Sequence, residues 1–81
     1  VVIYSKEHCS YCVSAENACK ELCEKDKDVS YMVLKLDEDY TKLEFSTIFP
    51  NARTVPQIII DGVQIGGWNE FEPKVKEHMQ G

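Results

Sequence analysis

Two cysteines separated by two residues, Cys9 and Cys12, follow directly on the apolar run Val1-Val2-Ile3-Tyr4 and open a helical pattern. A Cys-x-x-Cys at a strand-to-helix junction reads as a dithiol redox site. A helix N-terminus offers unpaired backbone N–H groups and the positive end of the helix dipole. Both favour a thiolate, which is the nucleophile of disulfide exchange. Cys9 precedes the first turn, where its sulfur can accept the N–H groups of Tyr11 and Cys12. Cys12 lies inside the turn and is expected to face protein. Cys9 is therefore read as the nucleophile and Cys12 as the resolving thiol. The competing reading, a pair of inert buried thiols, is the weaker one, because a structural cysteine rarely comes as a helix-capping pair.

The other cysteines, Cys19 and Cys23, lie four apart further along the same helical stretch. A zinc site built from all four is disfavoured. Zinc ligands usually come as pairs from separate elements, and one helix strings its cysteines along a line. Cys19 is read as a small apolar core residue, and Cys23 as partly exposed and open to oxidation. Lys6, three residues before Cys9, would lower its thiol pKa, and Arg53 carries a weaker form of the same argument. Tyr11, between the two cysteines, is expected half exposed as a flat wall for substrate. His8 adjoins Cys9 and is read first as a solvated residue, with thiolate stabilisation as the sharper option. His78 needs no role beyond complementing a helix C-terminus.

Positioning these groups requires a defined order of elements. Val1 to Ser5 is a strand covered on both faces. Ser10 to about Lys25 is a helix burying Ala15, Ala18, Cys19 and Leu22. Ser30 to Leu36 alternates as a strand. Asp37 and Asp39 are the expected caps of a second helix through Tyr40, Leu43 and Ile48, stopped by Pro50. A third strand runs from Val55 to Ile60. Asp61-Gly62 then marks a type I′ hairpin into Val63-Gln64-Ile65, closed by Gly66-Gly67. Asn69 is expected to cap a last helix carrying Phe71, Val75 and Met79. Pro73 is tolerable only near that helix's first turn. The order is β-α-β-α-β-β-α, an α/β class. It predicts a four-stranded mixed sheet with helices on both faces.

The 81 residues suit one domain, 1–81, with a small core. The chain begins without Met inside a strand pattern, so a few residues are expected to be missing before it. No signal peptide is visible and no apolar run approaches a membrane span. The net charge of −5 argues against non-specific nucleic-acid binding. These features predict a cytoplasmic monomer that engages neither membrane nor nucleic acid.

The order of elements, the dithiol at the first helix start and the proline opening the third strand resemble the thioredoxin fold. The finer resemblance is to the glutaredoxins. It rests on Lys6 ahead of Cys9-Ser10-Tyr11-Cys12, on Thr54-Val55-Pro56-Gln57, and on Gly66-Gly67 followed by Trp68-Asn69-Glu70. Ser10 stands where the family usually has Pro, and Asn69 and Glu70 stand where it places an acidic residue.

The resemblance implies a glutathione-dependent thiol–disulfide oxidoreductase. Cys9 and Cys12 would do the chemistry. Lys6, Tyr11, Arg53, Thr54, Val55, Pro56, Gly67, Trp68, Asn69 and Glu70 would form the glutathione site. It implies a cis Val55–Pro56 bond that presents the Val55 backbone to an extended peptide. Gly66 and Gly67 would allow close approach of a ligand, and the helix start at Asn69 would receive a carboxylate. Trp68 would pack at the rim. Expected partners are glutathione, disulfide-containing or glutathionylated proteins, and ribonucleotide reductase. A different function class stays open. Some glutaredoxins with Ser in place of the motif Pro bridge two protomers through a [2Fe–2S] cluster, held by the first Cys and glutathione, although this chain lacks the Cys-Gly-Phe-Ser motif of dedicated carriers.

Overall fold

The computed structural model describes residues 1–80; Gly81, the last residue of the span read as one domain, lies outside them. Four strands and three helices alternate as β1 (Val2–Ser5), α1 (Ser10–Lys25), β2 (Met32–Lys35), α2 (Lys42–Ile48), β3 (Gln57–Ile60), β4 (Val63–Gly66) and α3 (Trp68–Gln80). The order β-α-β-α-β-β-α is the one expected. The strands form one mixed sheet in the order β2-β1-β3-β4. β1 pairs parallel with β2, from Val2 opposite Met32 to Ser5 opposite Lys35. β3 runs antiparallel to both β1 and β4.

Each face of the sheet buries a different kind of residue. On one face, Ile3 and Ile58 pack with Ala15, Cys19 and Leu22 of α1 and with Phe71 and Val75 of α3. This is the stripe expected for α1, except that Ala18 is only half buried. The opposite face is aromatic. Tyr4 meets Tyr40 and Phe49 edge-on, each at 5.0 Å between ring centres. Phe45 of α2 lies 5.0 Å from Phe49. The Tyr40 hydroxyl donates to the Ser5 carbonyl at 2.6 Å. Burial pushes the Tyr40 phenol above its usual value.

Four local expectations are corrected. α2 is capped by Thr41, not by Asp37 or Asp39. The Glu44 N–H donates to Thr41 Oγ1 and the Thr41 N–H donates to Glu44 Oε1, both at 3.1 Å, a complete capping box. The two aspartates are engaged locally. Asp37 adopts a positive φ of 67°, and Asp39 accepts the Lys35 N–H at 2.9 Å. Tyr40 therefore lies ahead of the helix, bridged to Leu36. β2 is shorter than expected and leaves Ser30, Tyr31 and Leu36 outside it. β3 starts at Gln57, after the Val55–Pro56 pair.

The fourth correction concerns α3, which begins at Trp68, so Gly67 rather than Asn69 is its cap. The first helical bond runs from the Phe71 N–H to the Gly67 carbonyl at 3.0 Å. Pro73 is then the sixth helical residue. It denies Asn69 its i+4 donor, and the helix tolerates this because Phe71 and Val75 are anchored in the core. The hairpin is as expected: Asp61 and Gly62 both have positive φ, 51° and 81°. His78 near the end of α3 does more than face the dipole. Its Nε2 lies 3.1 Å from Oδ2 of Asp26, the C-cap of α1, and so ties the two helix ends together.

Candidate active site

Cys9 is the N-cap of α1, with extended backbone at φ −121° and ψ 106°. Its carbonyl receives the Val13 N–H, and its Sγ accepts the Cys12 N–H at 3.2 Å. The sulfur thus occupies the place that an Asp or Ser oxygen takes in an ordinary cap. It is the Cys12 amide, not that of Tyr11, that reaches it. No acidic residue sits in the first turn of α1, so nothing there competes for the positive end of the dipole. Cys9 is half buried, whereas Cys12 is 1% exposed. The two sulfurs are at bonding distance, with Cα atoms 5.2 Å apart. The asymmetry read from spacing is present in the geometry.

Cys9 faces the segment before β3. The Val55–Pro56 bond is cis, and the Val55 carbonyl oxygen lies 3.7 Å from Cys9 Sγ. Two grooves flank this segment and meet at Ala52 and Thr54. The smaller, about 290 Å³, is lined by Lys6, Arg53, Thr54 and Val55 together with Lys42. The ion pairs among the described residues are Lys76–Glu72 and His78–Asp26, so these three cations are unpaired. The larger groove, about 600 Å³, brings together Tyr11, Pro56, Gly67, Trp68, Asn69 and Glu70. Tyr11 is 61% exposed, as its position implied. Trp68 is half buried and meets Phe71 edge-on at 6.3 Å.

The start of α3 is already partly occupied. Glu70 folds back so that its Oε2 accepts the Gly67 N–H at 2.9 Å. A Cβ on Gly66, whose φ is +114°, would lie 2.9 Å from Glu70 Cγ. One on Gly67 would lie 3.2 Å from the Pro56 carbonyl oxygen. The close approach that these glycines permit is therefore made by the chain's own Pro56 and Glu70.

All ten residues expected around the dithiol line one groove or the other. Lys42 and Gln57 were missed. Gln57 donates to the Thr54 carbonyl at 2.9 Å and shapes the turn before β3. Lys42 had a visible signal, since a cation at the first position of a helix opposes the dipole and asks for another reason to be there. Cys19 is fully buried, and burial pushes its thiol up to about 12, so it carries no thiolate at neutral pH.

A [2Fe–2S] cluster asks for four thiolate or imidazole ligands. Among the described residues no group of three or more His, Cys, Asp or Glu side chains is placed to hold a metal. Nor is any described helix long and apolar enough to cross a membrane.

Comparison with known proteins agrees with this geometry. Residues 1–65 match the family model described as Glutaredoxin. The chain is 38% identical over 81 residues to a glutaredoxin of Vibrio cholerae serotype O1, covering 98% of this chain and 93% of that one. It is 34% identical over 80 residues to glutaredoxin 1 of Salmonella typhimurium, covering 96% and 92%. The solved structure of reduced Escherichia coli glutaredoxin superposes with a TM-score of 0.83 at 32% identity, covering 99% of this chain and 96% of that one. The sheet order, the dithiol at the start of α1 and these likenesses agree: the fold is thioredoxin-like, and the chain belongs to the glutaredoxin family of thiol–disulfide oxidoreductases.

Proposed function

We propose that this oxidoreductase draws its electrons from glutathione and reduces protein disulfides and glutathione mixed disulfides. The observation that carries the reading is Cys9 capping α1 with its sulfur, half exposed between an unpaired cationic groove and the start of α3. Glutathione has a carboxylate at each end and a peptide backbone between. Lys6 and Arg53 suit the glycine carboxylate. The Val55 backbone suits the central peptide as a short antiparallel pairing. The turn from Gly67 to Glu70 suits the γ-glutamyl end.

The chemistry follows from the unequal thiols. Cys9 thiolate attacks one sulfur of the target disulfide, a Cys9–target disulfide forms, and the other sulfur leaves with the electron pair. For a protein disulfide, Cys12 then attacks Cys9 and releases the reduced target. Two glutathiones reduce the Cys9–Cys12 disulfide in turn and leave as glutathione disulfide. For a glutathionylated protein, Cys9 takes the glutathione and a second glutathione removes it, so Cys12 is not needed. Glutathionylated proteins and ribonucleotide reductase are the targets proposed. A reducing compartment such as the cytoplasm suits a chain that keeps Cys19 and Cys23 as free thiols.

The test is an assay with glutathione and glutathione reductase on a glutathione mixed disulfide, run on wild type and Cys12→Ser. Cys12→Ser should keep deglutathionylation and lose reduction of intramolecular protein disulfides. No turnover by the wild type would refute glutathione dependence. Equal loss in both assays for Cys12→Ser would refute the division of labour.

A further inference from the structure

Three of the chain's nine lysines and arginines meet in one groove, in a protein that carries 14 acids. Lys6 comes from the loop after β1, Lys42 from the start of α2 and Arg53 from the segment ahead of β3. All three are exposed, and among the described residues none makes an ion pair. No Asp or Glu lines this groove. Glu7 follows Lys6 in sequence but stays outside it. The acids nearest to Lys42 in sequence are spent locally. Asp39 accepts the Lys35 N–H at 2.9 Å, and Glu44, the one acid of α2, accepts the Thr41 N–H at 3.1 Å. Gathering like charges costs the fold, and Lys42 also opposes its helix dipole. Among the described residues nothing offsets that cost. The larger groove differs, since its one charged lining residue is Glu70. Glutathione leaves part of the cationic cluster unused: its glycine end brings a single carboxylate, which Lys6 and Arg53 already suit.

We propose that this groove docks acidic polypeptide, and that the preferred protein targets carry Asp or Glu just after the attacked cysteine. This rests on the Cys9 chemistry and the Val55 pairing proposed above. Val55 lines the groove, and its carbonyl oxygen lies 3.7 Å from Cys9 Sγ. The cations therefore begin beside the place of exchange. An extended chain paired with Val55 advances about 3.3 Å per residue, so the first to third residues after its cysteine pass along the groove. The direction follows glutathione, whose glycine comes after its cysteine and is assigned to Lys6 and Arg53. A polypeptide has what the tripeptide lacks, a second carboxylate at that end to engage Lys42. The net charge of −5 repels acidic proteins elsewhere on the surface, so the groove steers their approach to the dithiol. The redox step is unchanged. One Cys9–Cys12 dithiol gives two electrons and two protons to one target disulfide and itself becomes a disulfide.

The test uses pre-reduced protein, without glutathione, on three synthetic peptides that share one intramolecular disulfide. The first has Glu-Glu following its second cysteine, the next has Gln-Gln there, and the last has Glu-Glu preceding its first cysteine. The rate of peptide disulfide reduction is followed by thiol trapping. The first peptide should react of the order of fivefold faster than the other two, the size of one or two exposed charge pairs. The advantage should vanish in 1 M salt, where screening acts within about 3 Å. Lys42→Gln should cut it to about twofold, Lys42→Glu should remove it, and Lys42→Arg should keep it. Comparing peptides on the same variant separates docking from any general loss of rate. Equal rates for the three peptides, a faster reaction with the acids ahead of the cysteine, or an advantage unchanged in Lys42→Glu overturns the proposal. A wild type that reduces none of the peptides overturns the Cys9 reading with it. A wild type that shows the preference here but fails to turn over with glutathione refutes glutathione dependence alone.

Discussion

α1 and its cap carry two pairs of cysteines with opposite fates. Cys9 and Cys12 stand at the N-terminus, where a backbone N–H points at the first sulfur and the solvent reaches it. Cys19 lies two turns further on, against Ile3, Ile58 and Phe71, where burial pushes its thiol up to about 12. Cys23 is half buried one turn beyond. The residue type is the same, so reactivity is set by place. A helix start supplies donors and a favourable potential; a helix middle facing the core supplies neither.

The sharpest way to break the comparison is to remove one thiol from each pair. Cys9→Ser should reduce exchange to the uncatalysed background in every assay, because no other accessible sulfur is held at a helix start. Cys23→Ser should leave the rate as it was. A Cys23→Ser variant that loses activity, or a Cys9→Ser variant that keeps it, would show that place on the helix is not what selects the nucleophile.

A smaller effect separates the two causes acting on Cys9. A charge-assisted hydrogen bond of the kind the Cys12 N–H makes contributes roughly 1.5–3 kcal/mol. An exposed cation such as Lys6 contributes roughly 0.2–1 kcal/mol. The cap should dominate. The Cys9 thiol should titrate below the ordinary value of about 8.5, and Lys6→Ala should raise it by less than the cap lowers it. Salt should shrink the Lys6 difference, since added ions shorten the screening length of exposed charges from about 8 Å at physiological ionic strength, and should leave the cap's share intact. Thiolate absorbance against pH at two salt concentrations measures both. A wild-type midpoint at or above about 8.5 would refute the depression, and a Lys6→Ala shift larger than half of it would reverse the ranking.

Much of this site was legible because its signals are local and periodic. The α1 stripe, the Asp61-Gly62 hairpin and the Cys9–Cys12 asymmetry each follow from spacing within one element. What was misread turned on competition among capping groups. Asp37 and Asp39 are good caps by type, yet one is spent on a left-handed turn and the other on the Lys35 N–H. Thr41 with Glu44 three residues on was the stronger signal, since it satisfies two amides at once. The same logic applies at α3. Asn69 is the better cap by type, but Glu70 reaches back to the Gly67 N–H and fixes the start two residues earlier. Lys42 marked itself as a cation at a helix start, but its meeting with Lys6 and Arg53 is made by the fold, because α2 comes from a distant stretch of sequence.

The remaining expected effect concerns the buried member of the comparison and is read in stability alone. Cys19 has its thiol raised from 9.0 to about 12 by burial. The folded state therefore holds a proton that the unfolded chain releases, and stability falls as pH rises above 9.0 until about 12. Tyr40, also raised by burial, acts in the same direction. Urea unfolding of the reduced protein at pH 8 and pH 10.5 should show this alkaline loss. The Cys19 share should be no more than about 2 kcal/mol over that interval. Cys19→Ala should be less stable at pH 8, by about 1 kcal/mol for the lost sulfur packing, yet should lose less on going to pH 10.5. Lysine and Tyr40 titration is common to both proteins and cancels in the difference. Equal alkaline losses would mean that Cys19 ionises in the core as readily as in water, and burial would no longer explain why one pair reacts and the other packs.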